Sequence, residues 1–143
     1  MTDAPIRAGI VVGQFHRDIA NGMLQAATEQ LDHSGAILVH TAWVPGSYEA
    51  PLLSKRLLQQ SSIDVVVVLG FIHRGETLHG EVMGRVVHQT LLDLSLKYDK
   101  PIEMGIIGPG ATLDQAKVRH LDYARSAVRA ALAQFKNLQQ DVS

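Results

Sequence analysis

The run "IDVVVVL", residues 63 to 69, constrains the fold more than any other part of this sequence. Four consecutive valines are poor helix material, because branching at Cβ crowds the preceding turn, and they show no alternation of apolar with polar residues. A strand so uniformly apolar must be covered on both faces, as in a parallel sheet flanked by helices. Three further segments have strand composition: "IRAGIVV" (6 to 12), "AILVHTAWV" (36 to 44) and "PIEMGII" (101 to 107). Helical spacing fills the intervals. Ile19, Met23, Ala26, Ala27 and Leu31 form one apolar stripe, and Pro51, Leu52, Leu53, Leu57 and Leu58 mark a shorter helix. Val82, Val86, Val87, Thr90, Leu91 and Leu94 form another stripe. Ala116, Ala124, Ala127, Val128, Ala131, Leu132 and Phe135 trace a closing helix, with a bend expected near Leu121. Thr112 followed three residues later by Gln115 gives that helix a capping-box start. Strand and helix alternate four times, which predicts an α/β layered fold on a four-stranded parallel sheet with right-handed crossovers.

A chain of 143 residues fits a single domain, 1–143, that buries roughly two-thirds of its unfolded surface. Four strands leave open edges, which another copy of the chain can cover. A net charge of -1 provides no basic field for nucleic acid and no acidic tail. The absence of cysteine removes disulfides, thiolate nucleophiles and Cys-type zinc sites. The start "MTDAPIRAGIVV" lacks the basic and long apolar regions of a signal peptide, and no window approaches the ~20 apolar residues of a membrane span. A cytoplasmic location is expected.

In open α/β sheets, ligands bind outside the carboxyl ends of the strands. Here those ends read "GQFHRD" (13 to 18), "PGSYE" (45 to 49), "GFIHRGETLH" (70 to 79) and "GPGAT" (108 to 112). They are rich in glycine, proline and ligand-bonding side chains, whereas the opposite loops "LDHSG", "QQSSID" and "KYDKP" are ordinary solvated connections. In "RGETLH", Gly75 permits close backbone approach and Thr77 is expected to begin a helix, so exposed N–H groups there suit a phosphate. His79 then falls in the first helical turn, where it is either a proton-transfer group or a surface histidine beside a capping threonine. Glu49 is either a polyol acceptor or a favourable acid in a first helical turn. Phe15 is either a platform for a flat ring or packing, and His16 is a ligand contact or solvated. Tyr48, Phe71 and Trp43 read first as core or interface.

Sharper motifs are missing. The sequence has no GxGxxG and no GxxxxGK[ST]. "HGE" at 79 to 81 lacks the cysteine pair of a zinc deaminase, no HExxH occurs, and the remaining histidines are scattered, so no metal site is expected. No Gly-x-Ser-x-Gly elbow is present, which disfavours a hydrolase triad.

"VVGQFHRDIANGML", "VPGSYEAPL" and "LGFIHRGETLHGEV", in this order and spacing, resemble the lumazine synthase family, which catalyses the penultimate step of riboflavin biosynthesis. "KYDKPIEMGIIGPGATLDQAKVRHLDYARSAV" is similar to its archaeal-type branch, with Gly-Pro-Gly where bacterial members carry a threonine-rich turn. The resemblance implies a flavodoxin-like three-layer sandwich assembled into pentamers, alone, as decamers or as sixty-subunit shells. It also implies condensation of 5-amino-6-(D-ribitylamino)uracil with 3,4-dihydroxy-2-butanone 4-phosphate to 6,7-dimethyl-8-ribityllumazine, phosphate and water, with no cofactor and no metal.

Carried over by position, the resemblance implies that Phe15 stacks on the pyrimidine. Ser47 and Glu49, with Tyr48 between them, bind the ribityl chain, and Phe71 and Ile72 lie beside the ring. Gly75, Glu76 and Thr77 form the phosphate loop, His79 is the catalytic acid/base and Glu81 the acidic residue two positions later. Arg119 binds the butanone phosphate across a subunit boundary. The chain departs from the commoner pattern at His16, usually asparagine, and at Met104, where bacterial members often have phenylalanine. The lysine that follows the phosphate arginine in bacterial sequences is missing at its usual spacing, with Arg125 the candidate substitute. His73 and Arg74 fit a ligand contact and a structural or intersubunit role equally. Two other readings remain: a non-catalytic scaffold that binds flavin-like ligands, and archaeal riboflavin synthase, against which "RGETLH" argues.

Overall fold

The computed structural model describes residues 4–140. Residues 1–3 and 141–143, the ends of the expected single domain, lie outside the described residues. The chain runs β1 (Arg7–Gly13), α1 (Arg17–His33), β2 (Ile37–Val44), a 3₁₀ turn (Ser47–Glu49), α2 (Ala50–Leu58), β3 (Val65–His73), α3 (His79–Tyr98), β4 (Ile102–Ala111) and α4 (Leu113–Leu138). The strands form one sheet in the order β2-β1-β3-β4, and every pair is parallel. This is the layered α/β fold on a parallel sheet expected from the alternation of apolar runs, and it matches the flavodoxin-like three-layer sandwich that the resemblance implies.

The valines of β3 divide between the two helical layers. Val65, Val67, Leu69 and Phe71 pack with α1 and α4, while Val66, Val68 and Ile72 pack with α2 and α3. A two-residue period thus feeds two cores from one uniformly apolar strand. In β2, Ala8 pairs with Leu38 but Gly9 pairs with His40, so Val39 is an extra residue, a bulge. Leu38 packs in the α1/α4 core and so does Trp43, five positions later, because the bulge shifts the alternation by one.

Four local features differ from the sequence expectations. First, β3 and β4 run on past Leu69 and Ile107, because their pairing continues to His73 opposite Ala111. Second, α3 begins at His79 and not at Thr77, whose hydroxyl accepts a hydrogen bond from the His79 N–H at 3.3 Å. Third, α4 is one uninterrupted helix through Leu121, started by the expected capping box between Thr112 and Gln115. Fourth, the buried line of α3 is Gly84, Val87 and Leu91, leaving Val82 and Val86 half-exposed. The helix is turned so that Gly80 and Gly84 meet the strand ends.

At the amino end of the sheet the polar groups close on one another. The Arg7 guanidinium donates to Asp64 at 2.9 and 3.1 Å and to the Ser61 carbonyl at 3.0 Å, and the Arg7 N–H reaches Asp64 at 2.8 Å. Lys100 donates to the carbonyls of Leu58 and Gln60 at 2.8 and 3.0 Å. Burial alone pushes the Asp64 carboxyl up, but hydrogen bonds and charge from Arg7, with Lys100 behind, hold it below its ordinary value. No described helix is long and apolar enough to cross a membrane.

Candidate active site

The strand order reverses between β1 and β3, the position where open α/β sheets receive ligands. β1 and β2 are tied there by the Gln14 N–H, which donates to the Val44 carbonyl at 2.8 Å. A cavity of about 360 Å³ opens above this point, walled by Phe15, by Pro45, Gly46 and Ser47, and by Ile72 and His73 of β3. Gly75, Thr77, His79, Gly80 and Met83 complete it on the α3 side. Phe71 and Ile72, both buried, form an apolar floor, whereas Phe15 is 52% exposed and presents its ring freely. An exposed phenylalanine over an apolar floor suits a flat heterocycle. The loop 74–78 leads into α3, so its backbone N–H groups and the helix start favour an anion at one end of the cavity.

Eight of the residues marked in the sequence meet in this cavity: Phe15, Ser47, Phe71, Ile72, His73, Gly75, Thr77 and His79. Tyr48 stands beside His79, the two rings 6.1 Å apart and inclined at 65°. His16 adopts a left-handed conformation (φ 54°) and lies in a ring cluster, 4.6 Å from Phe15, 5.3 Å from Phe71 and 5.9 Å from His73 between centroids. It faces a separate recess with Arg17, Lys117 and His120. Glu49 lies at the rim, its carboxylate 3.4 Å from where a side chain on Gly46 would begin. Glu76 is exposed on the loop. Glu81 pairs with Arg85 one turn along α3 and lines the outer side of the loop.

Two marked residues stand away from the chain's own cavity. Met104 pairs with Val68 in the body of the sheet and packs toward α2 and α3. Arg119 is exposed on α4. Among the described residues no three His, Asp or Glu side chains are placed to share a metal ion. The sequence reading did not mark Gly13, Pro45, Gly80 and Met83, all of which line the cavity. Met83 was findable, since it follows His79 by four positions and so shares its helix face.

The sequence model of the family described as 6,7-dimethyl-8-ribityllumazine synthase matches residues 5–139. The 6,7-dimethyl-8-ribityllumazine synthase of Metallosphaera sedula is 41% identical over 138 residues, which cover 96% of this chain and 91% of that protein. The protein of that name from Methanococcus aeolicus is 39% identical, with 93% and 97% covered. That from Saccharolobus islandicus is 42% identical, with 92% and 86% covered. A match over almost the whole described chain, to relatives of nearly its own length, shows that the chain belongs to the 6,7-dimethyl-8-ribityllumazine synthase family.

Proposed function

We propose that this chain condenses 5-amino-6-(D-ribitylamino)uracil with 3,4-dihydroxy-2-butanone 4-phosphate to form 6,7-dimethyl-8-ribityllumazine, releasing phosphate and water. The observation that carries this reading is one cavity that joins an exposed phenyl ring, the loop leading into a helix start and a histidine. Phe15 stacks on the pyrimidine above Phe71 and Ile72, and Ser47, Tyr48 and Glu49 hold the ribityl chain. The N–H groups of Gly75, Glu76 and Thr77 bind the phosphate at the start of α3.

The pyrimidine amine attacks the ketone carbonyl and the carbinolamine loses water to give an imine; phosphate is then eliminated to leave an enol, which tautomerises to a ketone, and the second amine adds to that carbonyl and loses a second water as the ring closes. His79 gives and takes protons at these steps, and no protein nucleophile or cofactor is required. Holding two substrates in register supplies much of the rate. The working form is an oligomer built of pentamers in the cytoplasm, each chain a single domain. Arg119, away from its own cavity, serves that of a neighbouring chain.

Purified protein incubated with both substrates is expected to generate lumazine fluorescence well above the uncatalysed condensation. A rate equal to that background would favour the scaffold reading, since shell formation needs none of the proton chemistry.

A further inference from the structure

We propose that the Gly108–Pro109–Gly110 bulge near the end of β4 is a positioning device for the catalytic site. It wedges the start of α3 and the loop before it, and so sets how the phosphate-bearing substrate is held without touching that substrate. The inference rests on the reaction assigned above.

The bulge and the Ala111 that follows it are fitted to their neighbours at three points. A Cβ added to Gly84 of α3 would lie 2.5 Å from Cδ and 2.8 Å from Cγ of Pro109, so the proline ring occupies the place of the missing side chain. At Gly108 (φ 92°) a Cβ would lie 2.2 Å from the carbonyl oxygen of Ile72, which belongs to the cavity floor. Between these two contacts the Arg74 N–H donates to the Ala111 carbonyl at 2.8 Å, fastening the first residue of the loop to β4. A fourth contact fixes the other side, where a Cβ on Gly80 would lie 3.3 Å from the His73 carbonyl oxygen.

The loop between these anchors is a thin wall. Its inner side faces the cavity through Gly75 and Thr77, and its outer side faces a second recess of about 400 Å³ bounded by Leu78, Pro109 and Gly110. With space on both sides, the position of the loop depends on what holds its ends. Pro109 against Gly84 acts one helical turn beyond Gly80, so any displacement of the ring tilts the segment bearing His79. The Pro109 ring sits close enough to Gly84 to transmit such a shift to the helix.

The test compares wild type, Gly84→Ala and Pro109→Ala in steady-state kinetics with each substrate varied, with assembly followed by sedimentation. Gly84→Ala pushes the wedge and Pro109→Ala removes it. Both are expected to raise the KM for the butanone phosphate relative to that for the pyrimidine, by about tenfold in Gly84→Ala and about threefold in Pro109→Ala, as misplacement on the ångström scale does. If Gly84→Ala does not assemble, the KM ratio of Pro109→Ala decides. An unchanged KM ratio in assembled variants of an active wild type overturns this inference alone. A wild type that makes no lumazine overturns the assigned reaction and this inference with it.

Discussion

The two ends of the sheet use polar residues in opposite ways. At the amino end, Arg7, Asp64 and Lys100 bond to one another's loops and leave little for a ligand to take. At the carboxyl end the cavity gathers Ser47, His73, Thr77 and His79, and among the described residues these share one hydrogen bond, from the His79 N–H to Thr77. Polar groups that satisfy each other stabilise a fold, whereas groups left to solvent stay available to a substrate. The difference teaches that stability and reactivity have been separated along the strand axis.

Substitutions at the carboxyl end should therefore change rates, and those at the amino end stability. The largest effect is expected from His79→Ala, which should slow single turnover about ten- to a thousandfold while sedimentation shows assembly intact. An unchanged rate would remove His79 from the chemistry. Arg119→Ala should raise the KM for the butanone phosphate about ten- to a hundredfold, the value of a charge-assisted hydrogen bond. Mixed oligomers reassembled from His79→Ala and Arg119→Ala chains should regain part of the activity, because some cavities then combine an intact loop with an intact arginine. Failure of complementation would place both residues in one chain's site.

Smaller effects are expected at the amino end. Because Asp64 is held below its ordinary value, its ion pair stabilises the fold above that value, near pH 3.9, and loses this as pH falls further. Asp64→Asn should therefore lower the melting temperature at pH 7 by a few degrees, about 1 kcal/mol at most for a partly exposed pair, with the difference fading below about pH 4. A changed KM in this variant would break the separation of the two ends. The smallest effect is expected at Glu103, near the start of β4, whose carboxyl is pushed up by burial. Its charged form is disfavoured by folding, so the penalty is absent at acid pH and grows as pH rises through the folded value. Glu103→Gln should raise the melting temperature at pH 7 by about a degree and leave it unchanged near pH 4.

Much of this was legible in the chain. Four apolar runs identified four parallel strands, and the contrast between "GFIHRGETLH" and "QQSSID" pointed to the end of the sheet that holds the cavity. What escaped depends on partners distant in sequence. Gly70–His73 look like loop because of their polar and glycine content, yet β4 beside them keeps them extended. Gly84 reads as a weak helical residue until Pro109, 25 positions later by their numbers, is found against it. The nearness of the Tyr48 ring to His79 was not legible either, because nothing local says that α3 starts beside Tyr48.

Val39 has a consequence for how β2 carries information along its length. A strand presents side chains in a frame of two, and one extra residue acts on it as a single insertion acts on a coding frame. Upstream of Val39 the strand is in one frame; downstream it is in the other, which turns Trp43 toward α1 and Val44 toward α2. Removing that one residue would exchange the two directions just before Pro45 to Ser47 enter the cavity. A strand at the rim of the sheet, with three of its eight residues exposed, thereby sets the phase in which the wall carrying Ser47 is delivered.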